Sequence, residues 1–123
     1  MINDLSITVI AGILTVFFLF ASSIKILGWQ KKIFETQLAF FHKYGLNRSL
    51  MAAVGFVELF GVITLWLPGG YRLIGALALF ATSAGAILFH LRFDTWKDGV
   101  PAMVTLLLSG VVGFVTADQL AFI

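Results

Sequence analysis

The 123-residue sequence contains no cysteine and only two histidines, His42 and His90. Without cysteine the chain forms no disulfides, no thiolate zinc sites and no cysteine-ligated iron–sulfur clusters. Two histidines are too few for a histidine metal cage, so the sequence predicts no metal site. Any redox role would therefore use a bound cofactor or a partner protein.

Charged residues are also scarce, at 11% of the chain against about 25% in soluble domains. Hydrophobic residues make up 60% of the sequence, and its mean hydropathy is +1.04. They form four apolar segments, each of a length that crosses a bilayer, roughly 17–25 residues. The sequence predicts a single all-α domain (1–123), an integral membrane four-helix bundle with spans at about 5–27, 50–67, 73–91 and 100–117.

The distribution of basic residues predicts the orientation of this bundle. Most of them lie in the first and third connections between spans, whereas the second connection contains only Arg72. Lys and Arg concentrate in cytoplasmic loops, so we expect both termini to face outward from a bacterial inner (plasma) membrane. The net charge of +2 follows from this multi-pass topology and does not indicate a nucleic-acid partner.

The first connection, "KKIFETQLAFFHKYGL" (31–46), has the pattern of a short amphipathic helix. A helical wheel separates an apolar arc from a polar arc that carries the lysines. Aromatic residues opposite lysines are typical of a helix in the lipid headgroup layer, and Gly45 is expected to end it. An ordinary packed loop is the alternative. The apolar arc consists of Ile33, Phe34, Leu38, Phe40, Phe41 and Tyr44.

Glu58 lies inside the second span, in "VGFVELFGVITLW" (54–66). Counted from Ser49, it is about 14 Å deep at a rise of 1.5 Å per residue. A central charge costs roughly 2.5–3.5 kcal/mol on insertion scales and usually faces the bundle interior or a wet cavity. Glu58 is therefore expected to be either protonated and hydrogen-bonded or charged and paired. A purely structural role and a role in handling a ligand, a proton or a partner both remain open.

Two further side chains are expected to reach Glu58 in the cytoplasmic half of the bundle. Lys25 lies at the cytoplasmic end of the first predicted span and His90 at that of the third, and Arg92 and Asp94 follow at the cytoplasmic end of the bundle. Each has a structural alternative, because a lysine near a helix end extends to the interface and His90 can be an interfacial histidine. The candidate polar cluster consists of Lys25, Glu58, His90 and Arg92.

Three segments resemble the DoxX-like family: "FLFASSIKILG" (18–28), "GFVELFGVITLWLPG" (55–69) and "GAILFHLRFD" (85–94). The first is similar to the end of the family's first helix, with its Ser and Lys before a Gly. The second is similar to the family's Gly-x-x-Glu segment on the second helix, and the third to the His-x-Arg end of its third helix. The resemblance implies a small four-helix membrane protein. Some members are linked to quinone-coupled oxidation of sulfur compounds or to oxidant-defence assemblies, and eukaryotic relatives act in receptor assembly. The matching positions are Lys25, Glu58 and His90.

Two functional classes are favoured over a third. The first is an accessory subunit of a quinone-linked redox system, in which His90 donates a hydrogen bond to a quinone carbonyl and Glu58 handles protons. The second is an assembly or scaffold factor whose polar face binds another membrane protein or a second copy. A small cation or proton-coupled transporter is a third. The sequence has no dinucleotide fingerprint, P-loop or nucleophile–base pair, so we do not expect an autonomous enzyme.

Overall fold

The computed structural model describes residues 4–68 and 70–121, which form five helices and no strand. Four of the helices are long and apolar enough to cross a membrane, and the predicted all-α fold is confirmed. The spans are recognised by length and composition, which do not distinguish the two sides of a membrane, so the predicted orientation of the termini stays a prediction. Residues 1–3 and 122–123 lie outside the described residues. The helices are α1 (Asp4–Leu27), α2 (Lys31–Lys43), α3 (Arg48–Leu65), α4 (Gly70–Phe93) and α5 (Val100–Ala121).

The helices follow the predicted spans but differ at their ends. The third helix begins at Arg48 because the side chain of Asn47 accepts a hydrogen bond from the backbone N–H of Leu50 at 2.9 Å, as an N-cap does. It ends at Leu65 rather than 67, where Trp66 closes the last turn. Both α4 and α5 continue past the apolar segments that predicted them, since backbone hydrogen bonding does not require apolar side chains.

Glycines allow close contact between neighbouring helices. A Cβ placed on Gly75 of α4 would lie 2.6 Å from the carbonyl oxygen of Gly61 and from Thr64 Oγ1 on α3. A Cβ on Gly55 would lie 2.9 Å from Lys25 Cβ on α1. Small residues of this kind let helices pack closely in a membrane, where the hydrophobic effect does not drive helices together and packing contacts take its place. The buried core between the helices consists of Ala11, Leu14, Phe18, Val62, Leu65, Ala76, Leu79 and Val112.

The short helix α2 has the two faces that the sequence predicts. All six residues of the apolar arc are half-buried, and the residues of the polar arc are exposed. Gln30 caps its first turn by accepting from the N–H of Ile33 at 3.0 Å. Gly45 follows its end with φ of 81°, a conformation that favours glycine. The helix and its two faces are therefore confirmed, whereas its immersion in the headgroup layer stays a prediction. The polar arc consists of Lys31, Lys32, Glu35, Thr36, His42 and Lys43.

Candidate functional site

An ion pair lies between α1 and α3 inside the bundle. Lys25 Nζ is 3.2 Å from Glu58 Oε1, and their side chains are 11% and 7% exposed. The close approach at Gly55, one turn before Glu58, brings the two helices together there. Oε1 of Glu58 nevertheless makes no hydrogen bond of acceptable geometry with any described residue. The carboxylate is thus paired in charge with Lys25 inside the bundle.

Arg48 fixes the end of α1 that carries Lys25. Its guanidinium donates to the carbonyl oxygens of Lys25 at 2.6 Å and Ile26 at 2.7 Å. These carbonyl groups lie in the last turn of α1, where carbonyl oxygens have no backbone N–H partner within the helix. The same guanidinium lies 4.9 Å from the centre of the Phe34 ring on α2. Arg48 therefore connects α1, α2 and α3 beside the ion pair.

His90 belongs to a second polar network, between α2 and the end of α4. Its Nδ1 lies 3.0 Å from Tyr44 Oη and 3.1 Å from Asp94 Oδ2. The hydroxyl of Tyr44 donates to Asp94 Oδ2 at 2.6 Å, and Lys43 forms an ion pair with the other carboxylate oxygen. The Asp94 side chain is 2% exposed, whereas that of Lys43 is 52% exposed. The network therefore extends from His90 to the protein surface.

The charges in this network determine which nitrogen of His90 carries the proton. Burial acts to raise the pKa of Asp94, but hydrogen bonds from Lys43, Tyr44 and His90 outweigh it and lower that pKa. Burial also raises the pKa of Tyr44, and the hydrogen bond to Asp94 adds to this effect. At neutral pH Asp94 is therefore a carboxylate and Tyr44 a phenol. Because Asp94 is a carboxylate and the Tyr44 hydroxyl already donates to it, the nitrogen of His90 that faces it, Nδ1, carries a hydrogen and donates to Asp94.

The structure does not bring all four predicted cluster residues into contact. Lys25 and Glu58 touch, but no hydrogen bond or ion pair joins His90 to Glu58 among the described residues. Arg92 lies apart, exposed, with its guanidinium 5.3 Å from the centre of the Phe93 ring. The four positions therefore divide into an ion pair, a histidine in a separate network and an exposed arginine.

Two adjoining cavities connect the ion pair with His90. Their volumes are about 440 and 270 Å³. Lys25, Glu58 and His90 line both, as do Gln37 and Phe40 of α2. The larger cavity continues between α1 and α5, and the smaller one runs under α2. Mostly apolar walls with a few convergent polar groups are typical of ligand sites.

Sequence reasoning missed two residues of this site. Tyr44 was predicted as an apolar-arc residue, and its position on that arc does turn its hydroxyl toward His90. Gln37 was not singled out, although it lies three residues from Phe34 and Phe40 and so shares their face of the helix. The spacing of His90 and Asp94 by four residues also signals a contact within one helix. Helical spacing alone could therefore have added these residues to the candidate site.

A group of possible metal ligands also occurs at the end of α4. His90, Asp94 and Asp98 each offer one ligand atom, within 4.8 Å of one another. Asp94 is already paired with the ammonium group of Lys43, and Asp98 accepts a hydrogen bond from Thr95 at 3.1 Å. Because an ammonium group already supplies positive charge there, the arrangement gives no reason to place a metal ion.

The fold and the site define a multi-pass helical membrane protein with a polar cavity among its spans. Comparison with known families matches residues 9–113 to the DoxX-like family. The chain belongs to the DoxX-like family, as the resemblance of its motifs indicates. No curated protein and no solved structure matches the chain. The matched region includes Lys25, Glu58 and His90.

Proposed function

We propose that this protein is an accessory subunit of a quinone-linked membrane redox system and that its cavity holds a quinone headgroup. The observation that carries the proposal is Glu58, which is buried with Lys25 as an ion pair in the membrane-spanning part of the bundle and lines the cavity. Buried ionisable groups in membrane spans are costly and usually mark a functional pathway. A lipid-soluble ligand with polar ring substituents suits such a place.

The cavity fits a substituted quinone ring. Its volume of about 440 Å³ lies within the roughly 300–1,000 Å³ of small-molecule sites. Phe17, Phe18 and Phe40 supply flat apolar walls, while Lys25 and Glu58 supply the polar groups. The first helix packs more loosely on α5 than on α3, so the hydrocarbon tail of a ligand can extend between α1 and α5 toward lipid.

The residues provide a route for protons between the cavity and the surface. A bound quinone supplies two-electron, two-proton redox chemistry. The carboxylate of Glu58 accepts a proton beside Lys25, and His90 accepts one at Nε2 while its Nδ1–H faces Asp94. The exposed ammonium group of Lys43 beside Asp94 then connects the network with water. With a proton on Nε2 the ring also donates, so the sequence-based role of His90, a hydrogen bond to a quinone carbonyl, stays a prediction.

The accessory role follows from the composition of the chain. The sequence has no cysteine and no dinucleotide fingerprint, so electrons would come from a partner protein that carries its own cofactor. Such a partner would contact the bundle within the membrane. The exposed apolar side chains of α5, among them Leu107 and Phe114, give it a surface on which to pack.

Quinone content of the purified protein tests this function. The protein is isolated in mild detergent, its lipids are extracted, and quinone is measured per chain by chromatography. We expect wild type to retain quinone and Glu58→Gln to lose most of it. The matched control is Asp118→Asn, which neutralises an exposed carboxylate away from the cavity and should leave the content unchanged. Wild type that retains a protein partner but no quinone would contradict the redox role and favour the assembly factor.

A further inference from the structure

We propose that α2 is a hinged lid over the two cavities and that Asp94 is the latch that holds this lid closed. The lid controls access to the cavities from the end of the bundle at which α1 and α4 finish. The inference rests on the proposed function for the ligand that the lid admits, a quinone headgroup. The positions of the residues that attach α2 to its neighbours carry it.

The inner face of α2 forms a wall of the cavities and buries little surface of its own. Gln37 and Phe40 line both cavities, yet none of the 13 residues of the helix is buried. On the opposite wall of the larger cavity, the side chain of Ser83 is only 3% exposed. Segments with few buried contacts open at a low cost in free energy. The helix therefore covers the site without the apolar packing that would fix it there.

Each end of α2 is connected to a membrane span through a glycine. Gly28 follows α1 with φ of 67° and Gly45 leads toward α3 with φ of 81°, the only positive φ values in the part of the chain that the structure describes. Glycine adopts positive and negative φ about equally readily, so the backbone can turn at both points. The guanidinium of Arg48 in α3 lies 4.9 Å from the centre of the Phe34 ring and attaches α2 on this side. Rotation at the two glycines would therefore move the side of α2 that faces α4 and α5.

The polar attachments of α2 to α4 lie at one end of the lid and meet at Asp94. Lys43 forms an ion pair with one oxygen of this carboxylate, and the hydroxyl of Tyr44 donates to the other at 2.6 Å. The ring of Tyr44 also stacks on that of Phe89, with ring centres 4.9 Å apart. Without the carboxylate of Asp94, ring contacts alone would hold this end of α2 against α4.

The edge of the lid that faces α5 has no such attachment among the described residues. Lys32 of α2 and Asp98 of the α4–α5 connection carry opposite charges and line the same cavity, but no ion pair joins them. Asp98 instead accepts a hydrogen bond from Thr95 at 3.1 Å. The hydroxyl of Thr36 donates to a backbone carbonyl within α2. Loss of the latch is therefore sufficient to open the lid between Lys32 and Asp98.

The reaction rate of a buried cysteine measures opening of the lid without any ligand. In this cysteine-free chain, Ser83→Cys places a thiol in the cavity wall, and Ser109→Cys places one in α5 at a position that is 1% exposed and outside the cavity walls. The full chain in lipid nanodiscs is treated with methyl methanethiosulfonate, and modification is followed by mass spectrometry. We expect Tyr44→Phe to raise the rate at Ser83→Cys about tenfold, the change in open population that corresponds to one hydrogen bond. Asp94→Asn should raise the rate further, and Tyr71→Phe, at an exposed tyrosine, should leave it unchanged.

The matched cysteine at position 109 separates opening of the lid from loosening of the bundle. A faster reaction at Ser83→Cys with an unchanged reaction at Ser109→Cys supports the lid. Equal increases at both positions would overturn it, because the whole bundle would then be opening. An unchanged rate at Ser83→Cys in Tyr44→Phe and Asp94→Asn would also overturn it. If Asp94→Asn does not fold, Tyr44→Phe decides, since this change removes one hydroxyl and keeps the ring.

An added ligand separates the lid from the proposed function. Decyl-substituted benzoquinone should slow the modification of Ser83→Cys, with and without Tyr44→Phe, because its headgroup would occupy the same cavity. If the quinone has no effect while the rate responds to the latch, the proposed function is overturned and the lid stands. If the quinone protects the thiol while the rate does not respond to the latch, the lid is overturned and the proposed function stands.

Discussion

Removing one partner of the Lys25–Glu58 pair should destabilise the bundle more than removing both. At 3.2 Å between Nζ and Oε1, the two charges attract by about 5 kcal/mol at an effective dielectric constant of 20. Desolvation of both groups offsets most of this attraction. A single substitution, Glu58→Leu or Lys25→Met, leaves the other group buried without its partner. Such losses typically cost about 3–5 kcal/mol.

The double variant Lys25→Met/Glu58→Leu leaves no buried charge at this place. We expect it to be more stable than the sum of the single losses predicts, with a coupling free energy of about 2 kcal/mol. The assay is reversible unfolding of the four proteins from dodecyl maltoside micelles into dodecyl sulfate, followed by circular dichroism. Additivity within about 0.5 kcal/mol would refute the conclusion that the pair interacts inside the folded bundle.

Three further perturbations test the packing, the α2 network and the topology. Gly75→Ala should lower the free energy of unfolding by about 1–3 kcal/mol, because its Cβ would lie 2.6 Å from atoms of α3. Gly12→Ala is the control in the same unfolding assay and should be nearly neutral, since a Cβ there would meet no atom within 4 Å. Equal effects of the two substitutions would contradict the close contact between α3 and α4. The pKa of Asp94 is lowered in the folded state. Its contribution to the free energy of unfolding is therefore fully present above the ordinary Asp pKa of about 3.9 and is lost as the pH falls through the lower pKa of the folded state. Hydrogen exchange of α2 should therefore be faster in Asp94→Asn at pH 7, with the difference from wild type narrowing on acidification, and identical exchange at pH 7 would argue against the network. In this cysteine-free chain, a cysteine at Thr36 should label with an impermeant maleimide from the cytoplasmic side and one at Tyr71 from outside, and the reverse result would invert the topology.

The spans could be predicted from the sequence because they depend on local composition. An apolar segment long enough to cross a bilayer is visible in the residue order alone, and all four appear as helices. Their ends depend on individual contacts. The start of α3 at Arg48 comes from the capping side chain of Asn47, and hydropathy does not register such a cap. The two faces of α2 were predictable because residues three and four apart share a helical face.

The site was predictable only in part. Glu58 stands out because a carboxylate inside a span is costly, and the nearby end of α1 makes Lys25 a reasonable partner. The hydrogen bond from Tyr44 to Asp94 joins residues 50 positions apart, so it depends on how α2 packs against α4. The position of a hydrogen on Nδ1 of His90 follows from that contact. The unpartnered oxygen of Gln37 likewise becomes visible only after α2 is placed over the cavity.

Photo-crosslinking tests the central claim most directly, namely that the cavity between α1, α2 and α5 holds a quinone headgroup. The protein in its native membrane is irradiated with an azido-benzoquinone, and labelled peptides are identified by mass spectrometry. We predict labels on the cavity wall, at Phe17, Phe40 or Ala102, that decrease with added unlabelled quinone and are weaker in Glu58→Gln. Labels confined to outward-facing positions such as Phe114, unchanged by competitor or by the Glu58 substitution, would contradict the claim.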